Sequence, residues 1–596
     1  MNAVPAGWFS RVKRGARMSF ALLAILAGCA AAPVVHVDHG VAVAMRDGVV
    51  LRADVYRPAH EGRFPVLVFR TPYGKQFAAK GDGVHMKAVA RGYAVVLQDV
   101  RGRYASDGIF NPYRQEGADG YDTIEWAAKQ PWSDGRVGTY GLSYPGAVQW
   151  LAAMEQPPHL VAMAPAMTFS SPRRFFYMAG IFDRAWLPWI YQYVAPDARK
   201  RLGMPDEGDA EENWKKVANQ YDSFLPLRDL PWLRKEAPYY FEWLAHPPED
   251  PWWDWAELRG RYGRTSAAVL NFSGWYDDAY GVEGAATNFN GLVQARSGAP
   301  ARTHLVLGPW VHGVPSQTKT RAGDLDFGTN AGFDYDALVL DFHDHYLRGI
   351  SNRFVKEPPV RYFVMGANEW RETMAWPPAA DRVETLYLSG AESDRHGRLL
   401  AAAPKGSAPP VRFASDPKHP VDDPAVAPGA HDYRALESRP DVLTLDSEPL
   451  TRDLTVAGEA TAVIYASCDC RDFDLWVRLL DVYPDGRAFN LMGPGNDVVR
   501  ASYREAAAGP KPVEPGRIYE LRVPNLMTAT RFVKGHRIRM QISASFDPHL
   551  SRNLQTGESE VASSASRPAT VAIHREAGRT SKLLLPVEAP QMAGTR

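Results

Sequence analysis

The sequence predicts an α/β protein with two additions: a helical cap inserted into the α/β core, and an all-β domain after it. Three observations predict this architecture. Short aliphatic runs alternate with helical patterns in 36–352, tryptophan is concentrated in the middle of that range, and strands separated by turns fill 353–596. At 596 residues the chain is too long for one ordinary hydrophobic core, so two or three domains are expected.

The core strands are recognised as short runs that are apolar on both faces, as in parallel strands covered by helices on each side. Before them, alternating residues indicate a two-stranded hairpin that turns at Asp47-Gly48. Gly349 is expected to end the last helix. The core runs are FPVLVFRTPYG, YAVVLQDVRG, VGTYGLS, AAVLNFSGWYDD and THLVLGPW. The segments 36–169 and 263–352 are therefore predicted to form one α/β domain.

The segment 170–262 interrupts this pattern and is predicted to be a helical cap. It contains eight of the chain's 17 tryptophans: Trp186, Trp189, Trp214, Trp232, Trp243, Trp252, Trp253 and Trp255. A small helical subdomain needs large side chains to build a core. A lid over a substrate pocket would use the same side chains as an aromatic wall. Both interpretations stay open at this point.

The last segment, 353–596, is predicted to be an antiparallel β-sandwich or jelly roll. In GHRIRMQISAS, the apolar residues Ile538, Met540 and Ile542 alternate with Arg537, Arg539 and Gln541, so one face of that strand is expected to be buried and the other to be exposed to water. A proline-rich stretch, 403–429, is predicted to be a loop within this domain.

The chain has three cysteines, and two of them, Cys468 and Cys470, lie close together in SCDCRD. Because a Cys-x-Cys pair on an extended strand has poor disulfide geometry, two free thiols are expected. A zinc site would need two more ligands at metal spacing, and only aspartates are close by. No metal or cofactor is predicted.

The first 29 residues are predicted to be a signal peptide of the lipoprotein type. Basic residues precede a short apolar run, MSFALLAILAG, that leads to Cys29. The stretch LAGC resembles the bacterial signal in which the cysteine is lipidated; an ordinary signal cleaved among the following small residues is the alternative. Export to the periplasmic or cell-envelope side is expected, with a lipid anchor on Cys29.

The charge balance excludes one class of partner. The chain has 68 Lys and Arg against 68 Asp and Glu, a formal net charge of zero. Nucleic-acid binding needs a positive field that this composition does not supply. Small molecules or short peptides are the expected partners, and the sequence carries no signal about the oligomeric state.

A lone serine between glycines follows one of the core runs, in VGTYGLSYPGAV (137–148). In a strand-turn-helix elbow the serine sits on a strained turn, and small neighbours such as Gly141 and Gly146 are needed because the helix packs back against the strand. The usual G-x-S-x-G pattern has glycine where this chain has Pro145. Since the stretch also fits an ordinary glycine-serine turn, Ser143 is a candidate nucleophile that requires partners.

Those partners are an imidazole that takes the serine proton and a carboxylate that orients the imidazole. In α/β-hydrolases they follow in the order Ser, acid, His, on loops after later strands. Here Asp277 and Asp278 follow one apolar strand, and His312 follows another. His343 and His345 are a possible metal-binding pair from their spacing. At about 100° per helical residue, however, they lie on opposite faces of the helix and cannot bind one ion together. His312 is the best candidate base.

Catalysis also needs donors that stabilise the developing oxyanion. The elbow offers the backbone N–H of the residue after the nucleophile, Tyr144. A second donor should come from an early loop, and RTPYGK offers Tyr73, through its hydroxyl or through nearby backbone amides. A tyrosine that merely packs in the loop is the alternative interpretation.

Together these stretches resemble one family. GLSYPG, GWYDD, GPWVHG and TPYGK, with DVRGRYASDG upstream, are similar to motifs of the cocaine-esterase and X-Pro dipeptidyl-peptidase group of serine hydrolases, the CocE/NonD hydrolases. The resemblance covers about 36 to 596. It implies an α/β-hydrolase core, a helical cap and a C-terminal jelly roll. It also implies Ser143 as nucleophile, Asp277 as triad acid, His312 as base, and Tyr73 hydroxyl with Tyr144 N–H as oxyanion hole.

The resemblance implies the type of reaction, but it does not fix the substrate. Within this group, α-amino acid ester hydrolases bind the substrate ammonium through acids two and three places after the triad acid, where this chain has Ala279 and Tyr280. An apolar or neutral acyl group is therefore expected. The predicted function is hydrolysis of an ester or amide through an acyl-enzyme. The alternatives are an Xaa-Pro dipeptidyl-peptidase and, from another class, a surface-anchored binding protein with an unused triad.

Overall fold

The computed structural model of the protein describes residues 35–81, 83–298, 302–393, 396–425, 427–505 and 509–589. The predicted signal peptide, 1–29, and its Cys29 lie outside the described residues. Within the ranges given, none of the helices has the length and apolar character that a bilayer crossing requires.

The first part of the chain alternates strands and helices. In chain order its elements are β1 (Val35–Ala44), β2 (Val50–Pro58), β3 (Phe64–Thr71), α1 (Lys75–Gly81), α2 (Val84–Ala90), β4 (Ala94–Asp99), α3 (Glu116–Ala128), β5 (Ser133–Leu142), α4 (Tyr144–Met154) and β6 (Leu160–Ala166). β1 and β2 form the predicted antiparallel hairpin. β3 is parallel to both β4 and β5, and β5 is parallel to β6.

The inserted segment consists of short helices. Its elements are α5 (Pro172–Phe175), β7 (Tyr177–Met178), β8 (Ile181–Phe182), α6 (Trp186–Trp189), α7 (Ala195–Arg201), α8 (Ala210–Ser223) and α9 (Pro238–Ala245). A π-helical turn, Ile190–Val194, joins α6 to α7. Trp243 and Trp253 are completely buried in the cap core, whereas Trp186 and Trp189 line the main cavity of the protein. The segment therefore supplies both a packed core and part of the wall of this cavity.

The chain then returns to the first sheet. The elements are β9 (Ala268–Tyr276), α10 (Glu283–Ala295), β10 (Thr303–Val311), β11 (Arg321–Ala322), β12 (Leu325–Asp326), α11 (Tyr335–Arg348), α12 (Arg353–Lys356), β13 (Val360–Val364) and β14 (Glu369–Thr373). Gly349 ends α11 in the left-handed conformation, with φ of 70°, as predicted. The completed sheet has ten strands in the order β1-β2-β4-β3-β5-β6-β9-β10-β13-β14.

Both faces of the parallel strands are covered. Val66 and Val68 of β3 pack in the core under α3 and α4, whereas Leu67 between them packs in the core under α2 and α11. This explains why the strands read as continuous apolar runs. β13 and β14 follow position 352, yet they join this sheet as its last two strands. A short strand cannot reveal from its own residues which sheet it will join.

The second domain is built from strands. They are β15 (Ala380–Ser393), β16 (His396–Leu400), β17 (Val411–Ser415), β18 (Leu443–Asp446), β19 (Leu454–Cys468), β20 (Asp474–Val482), β21 (Ala488–Asn490), β22 (Val498–Arg500), β23 (Tyr519–Phe532), β24 (Arg537–Ser543), β25 (Ala569–His574) and β26 (Lys582–Glu588). They pair as one twelve-stranded sheet, antiparallel except between β16 and β18. Ile538, Met540 and Ile542 of β24 lie in its apolar core, as their alternation predicts. The expectation that the other face meets water is wrong: Arg539 and Gln541 are buried as well, because β24 pairs with β18 and β20 inside the sheet.

The two cysteines form a disulfide, which corrects the expectation of free thiols. The expectation assumed that both lie on an extended strand. In the structure β19 ends at Cys468, and the chain bends before Cys470. The bend brings the two Cα atoms to 5.1 Å, a separation that a disulfide spans.

Candidate active site

Ser143 lies in the turn between β5 and α4, in a backbone conformation that side chains rarely adopt, with φ of 68° and ψ of −129°. The flanking glycines make this turn possible. A Cβ on Gly141 would lie 2.5 Å from the Pro145 side chain, and one on Gly146 would lie 2.5 Å from the Ala166 carbonyl oxygen. The strand and helix are too close there for any other residue. Pro145 fits because it lies in the first turn of α4, where its missing N–H costs nothing.

Asp277 and His312 follow β9 and β10, which are adjacent and parallel, so their carboxyl ends deliver the two side chains to one edge of the sheet. His312 Nδ1 donates to Oδ1 of Asp277 at 2.9 Å. The Asp277 side chain is buried, and the same oxygen accepts the backbone N–H of Ala279 at 3.1 Å and of Tyr280 at 3.2 Å. These donors fix the carboxylate, and the carboxylate fixes the imidazole.

The pKa of His312 is raised above its ordinary value of 6.5. Burial acts in the opposite direction, because it disfavours the charged ring. The charge of Asp277, its hydrogen bond and the charge of Asp278 outweigh that effect. The Asp277 carboxylate therefore stabilises the protonated imidazolium.

Tyr73 lies in the loop after β3 and lines the same cavity as Ser143 and His312. Its hydroxyl oxygen accepts the indole N–H of Trp189 at 3.1 Å. Burial raises the pKa of Tyr73 to about 12, while hydrogen bonds with Trp189 and Ser143 act in the opposite direction. The hydroxyl consequently keeps its proton at ordinary pH and can donate it in a hydrogen bond.

Tyr144 begins α4, so its backbone N–H has no acceptor within the helix. Its side chain is buried and points into the protein. The hydroxyl donates to Glu116 at 2.8 Å and accepts the Tyr113 N–H at 2.9 Å. Glu116 in turn pairs with Arg70 at 2.8 Å, so a buried polar network anchors the start of α4.

Tyr280 contacts the candidate catalytic residues directly. From the sequence it was noted only as a position that holds no acidic residue. Its ring stacks on the His312 ring with centroids 5.7 Å apart, and its hydroxyl is 3.1 Å from that of Tyr113. Burial raises the pKa of Tyr280, and a hydrogen bond with Ser143 acts against that rise. Its place three residues after the triad-acid candidate, in GWYDDAY, was the available signal.

Several of these side chains line one cavity of about 930 Å³. Ser143, Tyr73, Tyr280 and His312 lie on its wall, together with aromatic rings from the cap. The cap also contributes Asp183, which no sequence motif singled out. The volume is that of a pocket for a small molecule rather than a surface groove.

A buried arginine ties the Tyr73 loop to the cap. Arg103 Nε donates to the carbonyl of Pro72 at 2.8 Å, and its other nitrogens donate to the carbonyls of Val194 at 2.8 Å and Tyr193 at 2.9 Å. The guanidinium is also 3.4 Å from Asp197. One side chain thus links the residue before Tyr73 to the helical turn that follows Trp189.

The other candidate residues from the sequence, His343, His345 and Asp278, make contacts of a structural kind. His343 is buried, donates Nε2–H to the Thr139 carbonyl at 3.1 Å, and has a pKa lowered to about 3, mainly by burial. His345 contacts the carbonyl of Ile350 instead. Asp278 lies in the bend between β9 and α10. Across the described ranges, no group of three or more His, Cys, Asp or Glu could hold a metal ion.

Comparison with known proteins gives a consistent result. Residues 47–314 match the family model of the X-Pro dipeptidyl-peptidase (S15 family), and residues 352–584 match that of the X-Pro dipeptidyl-peptidase C-terminal non-catalytic domain. A cocaine esterase from Rhodococcus sp. (strain MB1 Bresler) is 34% identical over 580 residues, which cover 92% of this chain and 98% of that protein.

Two solved structures share the fold. An aminopeptidase from a marine sediment Thaumarchaeota archaeon matches with a TM-score of 0.76 and 24% identity, over 94% of this chain and 97% of that one. A selenomethionine-labelled α-amino acid ester hydrolase matches with a TM-score of 0.74, at the same identity and the same coverage. The prediction of an α/β-hydrolase core followed by an all-β domain is confirmed.

Proposed function

The chain belongs to the family of serine hydrolases that includes cocaine esterase and the X-Pro dipeptidyl-peptidases, and from this premise we propose that it hydrolyses an ester or amide bond through an acyl-enzyme on Ser143. The observation that carries the proposal is the 2.9 Å contact between His312 and the buried Asp277, since His312 also lines the cavity whose wall carries Ser143.

In the first step the Ser143 oxygen attacks the carbonyl carbon of the substrate while His312 takes the serine proton. The raised pKa of His312 reflects how Asp277 stabilises the resulting imidazolium. As the tetrahedral intermediate collapses, the imidazolium gives its proton to the leaving alcohol or amine. The acyl group stays on Ser143.

The oxyanion of the intermediate is proposed to accept hydrogen bonds from the Tyr73 hydroxyl and the Tyr144 N–H. Both donors lie beside Ser143: Tyr73 shares a hydrogen bond with it, and Tyr144 is the next residue. In the second step water attacks the acyl-enzyme, with His312 again as base, and Ser143 is released.

Labelling with a fluorophosphonate probe tests the nucleophile. We expect one probe molecule per chain, because only an activated serine reacts, and we expect the Ser143→Ala variant to lose both the label and turnover of a p-nitrophenyl ester. A wild-type chain that takes no label would favour a binding protein with an unused triad. Labelling that survives in Ser143→Ala would assign the nucleophile elsewhere.

Ester hydrolysis is proposed over Xaa-Pro dipeptide release, since the relative at 34% identity is named an esterase. The peptidase remains the second candidate because both matched family models bear the name of that enzyme. Paired assays with a p-nitrophenyl acyl ester and an Xaa-Pro p-nitroanilide separate the two. A higher kcat/KM for the anilide would reverse the preference.

We also propose that the enzyme is exported and anchored through a lipid on Cys29. The Cys468–Cys470 disulfide supports export, since disulfides persist mainly in oxidising compartments. Metabolic labelling with a fatty acid should mark the wild-type chain in the membrane fraction and leave Cys29→Ser unlabelled. Equal labelling of both, or none of either, would overturn the anchor.

A further inference from the structure

We propose that the edge of the first sheet opposite Ser143 docks on an anionic lipid surface, so that the cavity opens to the water and away from the membrane. The proposal builds on the proposed anchor at Cys29 and names the surface on which the anchored chain rests. It concerns an interaction of the protein rather than the hydrolysis itself.

The parallel strands define two edges of the sheet. Ser143, Asp277 and His312 directly follow β5, β9 and β10, so they lie at the edge where the parallel strands end. We call the opposite edge, where these strands begin, the basal face. Its stretches are 59–63, 91–93, 129–132, 155–159, 264–267, 296–298, 302 and 349–359.

The start of β1 lies at the basal face, because Val35 pairs with Pro58, the last residue of β2. Cys29 is only six residues before Val35, and six residues span at most about 20 Å. β2, which runs from one edge to the other, has nine residues and is about 30 Å long. A lipid on Cys29 therefore holds the basal face, rather than the cavity edge, next to the bilayer.

The basal face is basic, although the whole chain has no net charge. Its stretches contain eight Lys and Arg against three Asp and Glu. The connections at the opposite edge, outside the cap, contain five against six. Those connections are 72–74, 100–115, 143, 277–282 and 312–334. Clusters of basic side chains next to a membrane anchor are attracted by anionic lipid head groups.

Several of these positive charges have no partner in the protein. Arg63, Lys129 and Lys356 are exposed, and among the described residues no carboxylate lies within ion-pair distance of them. Their charges are therefore available to an external anionic surface.

Two further arginines contact neutral groups of the same edge. Arg264 Nε donates to the carbonyl of Met154 at 2.7 Å, and Arg302 Nη2 donates to the carbonyl of Val161 at 3.1 Å. Both side chains are exposed, and a carbonyl does not cancel their charge.

Helix dipoles account for only part of this charge. A basic residue just after a helix is expected, since the end of the helix carries a partial negative charge, and Lys129 fits that explanation because it directly follows α3. Arg63 and Arg302 directly precede β3 and β10 instead and end no helix. The excess charge is therefore a property of the face rather than of its helices.

Exposed aliphatic side chains accompany the charges. Ile350 is 40% exposed and Val355 is 58% exposed, and both lie in the stretch that contains Lys356. Aliphatic side chains beside basic ones suit the boundary between head groups and acyl chains. The partner that fits this face is thus a lipid surface, and substrates reach the cavity from solution.

The full-length Cys29→Ser chain, which cannot be lipidated, tests the surface without the anchor. It should sediment with vesicles of phosphatidylcholine and phosphatidylglycerol mixed about 3:1, much less with phosphatidylcholine alone, and be released by about 0.5 M salt. The combined substitution Arg63→Gln, Lys129→Gln and Lys356→Gln should weaken its partitioning into the anionic vesicles at least about tenfold.

The matched control is Lys405→Gln, Arg452→Gln and Lys534→Gln, which removes three exposed charges of the β domain and should leave the partitioning unchanged. All these chains share residues 1–29, so that segment contributes equally. Equal partitioning of the basal variant and its parent would overturn the proposal. If Cys29 in the wild type carries no fatty acid while the basal variant still partitions more weakly, the anchor fails and the surface stands.

A second measurement tests the orientation of the lipidated chain on the same anionic vesicles. A fluorophore attached after Ser266→Cys reports the basal face, and one attached after Thr318→Cys reports the loop after β10; both positions are exposed. Energy transfer to rhodamine-labelled head groups should be at least about twofold more efficient from position 266, because transfer falls steeply with distance. Equal transfer, or more from position 318, would turn the cavity edge to the bilayer and overturn the proposal.

Discussion

The cavity has two walls that are built differently. The sheet wall carries Ser143 and His312, with Asp277 buried behind His312, and all three lie on turns that directly follow strands of one parallel sheet. The cap wall carries Trp189 and its neighbours on short helices, and Arg103 ties it to the core through backbone carbonyls. The difference teaches that reacting groups sit where paired strands fix the backbone, while groups that surround the substrate sit on an insertion held by a few long-range contacts.

The largest effect should come from the sheet wall. Asp277→Asn removes the charge that orients His312 and stabilises its protonated form, so kcat/KM for a neutral ester should fall by about 10⁴-fold. Asp278→Asn is the comparison variant: its charge also raises the pKa of His312, but Asp277 is the residue that hydrogen-bonds the ring, so a much smaller loss is expected. Similar losses in both variants would contradict the assignment of Asp277.

The pH profile sharpens the same point. The base must be unprotonated, so kcat/KM of a neutral ester should rise with pH through a midpoint above 6.5, since Asp277 raises the pKa of His312. Below the midpoint the rate should fall about tenfold per pH unit. In Asp277→Asn the midpoint should move down; a midpoint that stays in place would assign it to another group.

Tyr73 lies where the two walls meet. The fall in kcat on substituting it should be smaller than the effect of Asp277→Asn and larger than those of the cap variants. Tyr73→Phe removes an oxyanion donor, which should cost about 3 kcal/mol in the barrier, or about 10²-fold in kcat. Tyr193→Phe is the control, since that exposed tyrosine packs against Tyr73 with centroids 6.1 Å apart. Unchanged turnover in Tyr73→Phe would mean that backbone amides supply the donors.

Arg103 tests whether the cap wall positions the sheet wall. Arg103→Lys keeps the charge but loses the planar set of donors, so kcat should fall about tenfold with KM changed less than about threefold. Arg201→Lys is the control, because that exposed arginine also donates to carbonyls of the neighbouring loop. A change confined to the melting temperature would make Arg103 a stabilising residue only.

Trp189 should give the smallest effect. Trp189→Phe keeps a ring on the cap wall but removes the N–H that Tyr73 accepts at 3.1 Å, so kcat should fall by about threefold. Trp252→Phe, a cap tryptophan that stacks on His246, is the control. A loss as large as that of Tyr73→Phe would mean that the indole itself contacts the substrate.

The sequence predicted the sheet wall better than the cap wall for a physical reason. Ser143, Asp277 and His312 each follow an apolar run, and parallel strands bring their ends to one edge whatever lies between them in the chain. Asp183 follows no such run. Its burial against the cavity depends on how short cap helices pack, which no local pattern encodes.

Two other features could not be predicted from the local sequence: the disulfide and the sheet that β13 joins. Cys470 was assigned to a strand that ends at Cys468, because one bend in the backbone decides whether the two sulfur atoms can meet. The strand at Val360–Val364 looks the same whichever sheet it joins, and only its pairing with β10 reveals the answer. A local bend decided the first case and long-range strand pairing the second, and residue preference decided neither.

A second cavity, of about 270 Å³, is lined by residues of the cap and of the β domain, His549 among them. Asp183 and Ala185 of the cap line both this cavity and the one that holds Ser143. The β domain therefore borders the cap residues that the two cavities share. Sequence changes in its loops can alter the packing behind the cap wall and leave Ser143, Asp277 and His312 as they are.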